Sequence, residues 1–226
     1  MTTPSAAEDT RIWDLPTRLF HWALVVLIAL QYASGEFELL PMRWHYLLGY
    51  ATLALIVFRV LWGFAGSETS RFGSFVRGPR AVFRYLVDGL RGRESRMHGH
   101  NPLGGWSVLL MLACIAVQGV SGLFASDDIS EEGPLTDRVS DATVDLMTRI
   151  HHINRYVLLA LIILHIGAVL AHWVVKNDNL VAPMLHGRAR AASGSTPRFA
   201  SPWRALGLLA FSAAMVWALV AWGNAA

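Results

Sequence analysis

Five stretches of this chain are apolar for long enough to cross a lipid bilayer, and that limits the possible folds sharply. They lie at about residues 18–35, 45–65, 104–124, 150–175 and 203–222. A membrane-spanning helix needs roughly 20 consecutive apolar residues. Hydrocarbon offers no partner for a bare peptide group, so each crossing must satisfy its own backbone, as a helix does. The alternation of short barrel strands is missing. Only 15% of residues are charged, against about a quarter in soluble domains. The expected fold class is an all-α integral membrane protein.

Charge placement gives an orientation. The segment from Arg71 to Arg96 carries Arg71, Arg77, Arg80, Arg84, Arg91, Arg93 and Arg96. The segment after the fourth stretch carries Lys176, Arg188, Arg190, Arg198 and Arg204. Basic loops face the cytoplasm. The loop at 36–44 has one basic residue, Arg43. The loop at 125–149 sets Asp127, Asp128, Glu131, Glu132, Asp137, Asp141 and Asp145 against Arg138 and Arg149. These two loops are expected outside. The N-terminus then lies on the cytoplasmic side and the C-terminus outside, after five crossings. Trp13, Trp22, Trp44, Trp62, Trp106, Trp173, Trp203 and Trp222 fall near span ends, where indole anchors at the interface. No positively charged n-region precedes the first apolar run, which argues against a cleaved signal peptide.

Four regions follow. Residues 1–17 form an N-terminal cytoplasmic segment, 18–186 the main membrane domain, 187–202 a Gly/Ser/Pro/Ala linker, and 203–226 an accessory helix that packs on the bundle or meets a partner. Residues 72–87 mix aromatics and arginines and are too polar to span, so a helix in the inner interface is expected there. No internal repeat stands out. The single cysteine, Cys114, cannot form an intrachain disulfide and reads as a packing residue. The chain has no C-x-x-C-H, so covalent haem attachment is excluded.

Histidine inside a span is expensive and points to function. His21, His45, His151, His152, His165 and His172 lie in or at the ends of spans; His98, His100 and His186 fall in loops. His151 and His165 are 14 residues apart, which on a helix returns to within roughly 40° of the same face about 21 Å along the axis. His152 is off that face, so His151 is favoured. Depth then pairs His45 with His151 on the outer side and His21 with His165 on the inner side. Two separate two-histidine sites suit bis-imidazole ligation of b-type haem, a ligand set for electron transfer. They do not suit zinc, whose ligands converge on one tetrahedral point. Arg59 follows His45 by 14 residues. It reaches the inner haem level, where a propionate is one partner and snorkelling to headgroups the alternative. Gly49, Gly104, Gly105, Gly119 and Gly122 permit close approach, of a porphyrin or simply of another helix. His172 suits an interfacial position. Gln31 and Gln118 offer hydrogen bonds to a quinone or haem, or between helices.

The chain resembles the bacterial cytochrome b561 family, which includes b-type subunits of nickel–iron hydrogenases. The likeness rests on Trp13-Asp14-Leu15-Pro16-Thr17-Arg18-Leu19-Phe20-His21-Trp22, His45-Tyr46-Leu47-Leu48-Gly49-Tyr50, and Phe58-Arg59-Val60-Leu61-Trp62-Gly63-Phe64-Ala65-Gly66 with Arg71-Phe72. It continues through Gly99-His100-Asn101-Pro102-Leu103-Gly104-Gly105, the His151/His165 spacing and Asp178-Asn179-Leu180-Val181. It covers about residues 11 to 187. The resemblance implies a four-helix core holding two haem b groups on His21, His45, His151 and His165, with the fifth helix beyond the minimal pattern. It also implies electron exchange with membrane quinone and a redox partner, such as a c-type cytochrome or a hydrogenase.

Three functions are consistent with this reading. The first is a respiratory-chain electron conduit between quinone and a periplasmic redox protein, with the acidic outer loop steering a basic partner. The second is a superoxide:ubiquinone oxidoreductase, which the acidic loop disfavours because superoxide is an anion. The third is the membrane anchor and electron-transfer subunit of a larger oxidoreductase. No nucleic-acid role is expected.

Overall fold

A computed structural model of the chain describes residues 8–91, 101–129, 131–191 and 197–225. Arg93, Arg96, His98, Gly99 and His100 lie outside the described residues. Five long helices dominate: α1 (Leu15–Gly35), α2 (Met42–Ala65), α5 (Pro102–Gly122), α6 (Asp141–Lys176) and α8 (Pro202–Gly223). All five are long and apolar enough to cross a membrane. Between them run α3 (Phe72–Phe75), α4 (Pro79–Leu90) and α7 (Val181–His186). A two-stranded antiparallel ribbon pairs β1 (Glu8–Arg11) with β2 (Arg188–Ala191).

The helix starts are written in the sequence. Asp14 Oδ1 accepts the Thr17 amide at 2.8 Å, capping α1. Asn101 Oδ1 accepts the Gly104 amide at 2.7 Å and Pro102 opens α5. Ser201 Oγ accepts the Trp203 amide at 3.3 Å and Pro202 opens α8. Proline suits a first turn, where its missing N–H costs nothing. α1 and α5 both end on glycine.

Two findings refine the sequence reading. α6 begins at Asp141, so the acidic segment from 141 to 149 is helix rather than loop. Part of the expected linker, Arg188–Ala191, is strand, paired in register with the N-terminal segment. Backbone ladders form there without an apolar pattern, which is why periodicity did not reveal them.

Contacts divide the chain into two compact units. One comprises 1–19, 61–110 and 164–205. Its centre is polar and closed. Asp14, 2% exposed, accepts from Trp62 Nε1 at 3.2 Å and lies 3.5 Å from Ser70 Oγ. Thr17 and Ser70 hydroxyls meet at 2.7 Å. Thr69 donates to the Ile12 carbonyl at 2.8 Å, and the Ile12 and Trp13 amides donate to the Gly187 carbonyl. Arg18 reaches the Leu185 carbonyl. The tryptophan and aspartate of the two sequence motifs are therefore structural partners, with their buried polar atoms satisfied.

The other unit comprises 20–60, 111–163 and 206–226. Its core holds Leu53, Ala54, Leu123, Leu135 and Val216, so α8 packs onto this chain's own helix α2 and the segment after α5. Arg138 donates to the Trp222 carbonyl at 2.6 Å, and its guanidinium stacks 4.6 Å from the Trp222 ring centroid. Elsewhere apolar side chains face outward: Leu164 is 70% and Val174 76% exposed. An aqueous surface would not tolerate that density of apolar groups, whereas lipid is their natural solvent. The protein is a multi-pass membrane protein.

Candidate haem-binding site

His45 stands near the start of α2 and His151 within α6, both in the second unit. Their ring centroids are 6.2 Å apart and their planes cross at 77°. Two imidazoles bound at about 2.0–2.1 Å on opposite sides of one metal would also stand about 6 Å apart. His152 is exposed, with its ring centroid 6.3 Å from that of His151.

Each ring is locked by the helix that precedes its own. His151 Nδ1 lies 3.0 Å from the Gln118 carbonyl and 3.3 Å from Ser121 Oγ. His45 Nδ1 lies 3.1 Å from Ser34 Oγ, and the ring is also hydrogen-bonded to the Gln31 backbone. A carbonyl can only accept, so His151 carries its proton on Nδ1 and keeps the Nε2 lone pair free. The Ser34 hydroxyl donates to the Leu30 carbonyl at 2.9 Å, so toward His45 it accepts. Both imidazoles are thus held in the tautomer that presents Nε2. Ligating histidines show this arrangement, with the second nitrogen donating to a carbonyl or similar acceptor.

Glycine makes the seat. A Cβ at Gly35 would lie 2.6 Å from the His45 ring, and one at Gly122 would lie 2.9 Å from the His151 ring. Neither ring can stand so close to a helix carrying a side chain there.

Around this pair the helices are cross-linked by polar groups. Gln118 Nε2 donates to the His151 carbonyl at 3.1 Å, and Asn154 Nδ2 donates to Gln118 Oε1 at 2.7 Å and to the Cys114 carbonyl at 2.9 Å. Tyr32 donates to the Arg155 carbonyl at 2.6 Å, and Arg155 pairs with Glu36 at 2.5 Å. Gln31 Nε2 lies beside Gly49, 3.2 Å from where a Cβ would stand. Tyr46 donates to Glu131 at 3.0 Å, tying α2 to the acidic loop.

The other expected site residues are placed as follows. His21 is in α1, its ring 5.0 Å from Trp22 edge-on, in the same unit as His45 and His151. His165 is in α6, half-buried, in the other unit. Arg59 is in α2 and only 3% exposed. His172 Nδ1 lies 3.8 Å from the Asp178 carboxylate, and His186 Nδ1 accepts the Arg188 amide.

The sequence reading passed over Ser34, Ser121 and Gly35 as supports of the site. The signal was present: Gln31-Tyr32-Ala33-Ser34-Gly35 and Gln118-Gly119-Val120-Ser121-Gly122 repeat the pattern Gln-x-x-Ser-Gly. Each copy ends the helix before the one that bears the histidine. Two five-residue copies 87 positions apart are too short to stand out as a repeat.

The fit to haem rests on these observations. Two imidazoles stand 6.2 Å apart between ring centroids, both Nδ1 atoms are engaged, and a glycine stands against each ring. Two is also the number of axial positions a porphyrin leaves to the protein.

Comparison with known proteins agrees. The chain is 23% identical over 211 residues to a probable Ni/Fe-hydrogenase B-type cytochrome subunit of Cupriavidus necator, covering 80% of this chain and 86% of that protein. It is 24% identical over 209 residues to a protein of the same description from Azotobacter chroococcum mcd 1, covering 78% and 86%. No solved structure matches significantly. The family model for prokaryotic cytochrome b561 matches residues 12–187, so the chain belongs to that family and is a b-type cytochrome that transfers electrons across a membrane.

Proposed function

We propose that this cytochrome carries electrons between membrane quinone and a periplasmic redox partner through two b-type haems. In this reading His45 and His151 would hold the iron of one haem, and His21 and His165 that of the other. The observation that carries it is the His45–His151 pair, 6.2 Å apart between ring centroids, with both Nδ1 atoms engaged so that Nε2 is the nitrogen left to bind a metal. Haem supplies a one-electron couple with no open coordination position when two histidines bind it. The chain's own part is to hold the rings, exclude water and keep the ligand nitrogens unprotonated. Arg59, buried in α2 and 14 residues after His45, is assigned to a haem propionate, an anion that a guanidinium binds through two hydrogen bonds.

The acidic segment supports a basic partner on the side of the His45–His151 site. Asp127, Asp128, Glu131 and Glu132 flank Ile129 in sequence, and Ile129 is 89% exposed. The decisive experiment has two readouts. A pyridine haemochrome assay on the purified protein is expected to give two haem b per chain, falling to about one in His45→Ala and His151→Ala. Rapid mixing with ubiquinol is expected to reduce the haems. No haem, or unchanged stoichiometry in the variants, sinks the ligand assignment; haems that quinol never reduces sink the quinone role.

A second reading is favoured by the relatives' description: the chain serves as the cytochrome subunit of a larger oxidoreductase. Conduit and subunit are compatible. Copurification of a stoichiometric partner from the native membrane supports the second, and a solitary protein with full quinol reactivity opposes it.

A further inference from the structure

The two Gln-x-x-Ser-Gly segments form a duplicated cradle, and its hydroxyls bear on the electronic state of the site as well as on its shape. In both copies the histidine ring contacts the glutamine's backbone and the serine's hydroxyl, and the glycine that follows leaves room for it. In both copies the serine hydrogen is directed back into its own helix. Ser34 donates to the Leu30 carbonyl at 2.9 Å, and Ser121 donates to the Gln118 carbonyl at 3.2 Å. Each Oγ therefore turns a lone pair toward Nδ1. Ser34 and Ser121 are each 2% exposed, so no bulk water can replace them.

We infer that Ser34 and Ser121 are positioning residues that set the redox potential of the group held by His45 and His151. This inference rests on the axial assignment above. An acceptor at Nδ1–H pulls the proton outward and makes Nε2 a stronger donor. A stronger donor favours the ferric over the ferrous state and lowers the potential. The two copies are unequal. Each ring also bonds its glutamine's backbone, but Ser34 lies 3.1 Å from His45 Nδ1 whereas Ser121 lies 3.3 Å from His151 Nδ1, farther than the Gln118 carbonyl at 3.0 Å. Removing the Ser34 hydroxyl thus takes away a larger share of the acceptor strength than removing that of Ser121.

The test is a spectroelectrochemical titration of the full-length haem-loaded protein, with haem content measured in parallel. Ser34→Ala is expected to keep both haems and to raise the ferrous-to-ferric ratio of one haem, at fixed applied potential, by roughly two- to tenfold, the effect of one hydrogen bond. The second haem is expected to stay put. Ser121→Ala is expected to move the same haem less. Ser212→Ala is the control, because Ser212 is fully buried and makes the same bond to a carbonyl four residues back, at 2.8 Å, away from any histidine. It is expected to move neither potential. An unshifted Ser34→Ala at full haem content overturns the inference, as does an equal shift in Ser212→Ala. Should Ser34→Ala shed haem, Ser34→Thr decides, since it keeps the hydroxyl. Two haems at wild-type potentials there support the inference, and loss there too assigns the effect to packing and overturns it. Failure of the axial assignment is read separately, as His45→Ala retaining two haems.

Discussion

At the scale of single residues, the site depends on what stands behind each ring. Gly35 and Gly122 lie so close to His45 and His151 that a methyl group at either would overlap the imidazole. Gly35→Ala and Gly122→Ala are therefore expected to lower haem content to about one per chain while the helices still form, read by pyridine haemochrome and circular dichroism. Full content in both variants would show that the rings have room to retreat. A different residue-scale cost is expected at Asp14. Its carboxylate accepts from the Thr17 amide and the Trp62 indole while only 2% exposed. Asp14→Ala strands both donors and is expected to destabilise the protein by about 1–3 kcal/mol, measured by thermal unfolding in detergent. An unchanged midpoint would mean that water or neighbouring hydroxyls replace the carboxylate.

At the scale of elements, α6 is too long to be a span alone. Its 36 residues reach about 54 Å at 1.5 Å each, against a hydrocarbon core of about 30 Å. The surplus includes the stretch bearing Asp141, Asp145 and Arg149, which belongs in water. This continuous helix carries both His151 and His165, so their separation is fixed by helix geometry rather than by a loop. α8 is bound by ordinary packing: Val216 sits with Leu53, Ala54, Leu123 and Leu135. Leu135→Ala, at a residue 4% exposed, is expected to cost about 2–5 kcal/mol without altering haem content. Loss of haem together with stability would show that α8 supports the site rather than merely covering its neighbours.

For the whole molecule, orientation decides which partner each end can meet. The proposed orientation puts the acidic segment in the periplasm and the arginine-rich segment in the cytoplasm. Ile129 and Arg84 are exposed markers of the two sides. With Cys114 replaced by Ala, Ile129→Cys is expected to react with a membrane-impermeant maleimide in intact spheroplasts, and Arg84→Cys only after lysis. The reverse pattern overturns the orientation and moves the partner to the cytoplasm. Charge steering gives a second check. Reduction of a basic c-type cytochrome is expected to slow as salt rises, since exposed charges are screened beyond about 8 Å at physiological ionic strength. A salt-independent rate would remove the role of Asp127, Asp128, Glu131 and Glu132.

Much of this protein was legible in its sequence for a plain reason: hydrocarbon leaves a chain few choices. Apolar runs of sufficient length must be helices, and the five expected spans match five observed helices to within a few residues at most ends. The preference for His151 over His152 follows from helical periodicity alone. What periodicity could not reach was contact between elements distant in the chain. The β1–β2 ribbon joins residues about 180 apart through backbone bonds that leave no side-chain pattern. Ser34 and Ser121 read as ordinary small helix residues until their hydroxyls are seen beside imidazoles of other helices. The sequence by itself determined the spanning helices and the histidines they carry, because both depend on local composition and a fixed rise per residue. Only the tertiary structure decided that the His45 and His151 rings stand 6.2 Å apart with both Nδ1 atoms engaged, because those contacts depend on the neighbours that folding brings to each imidazole.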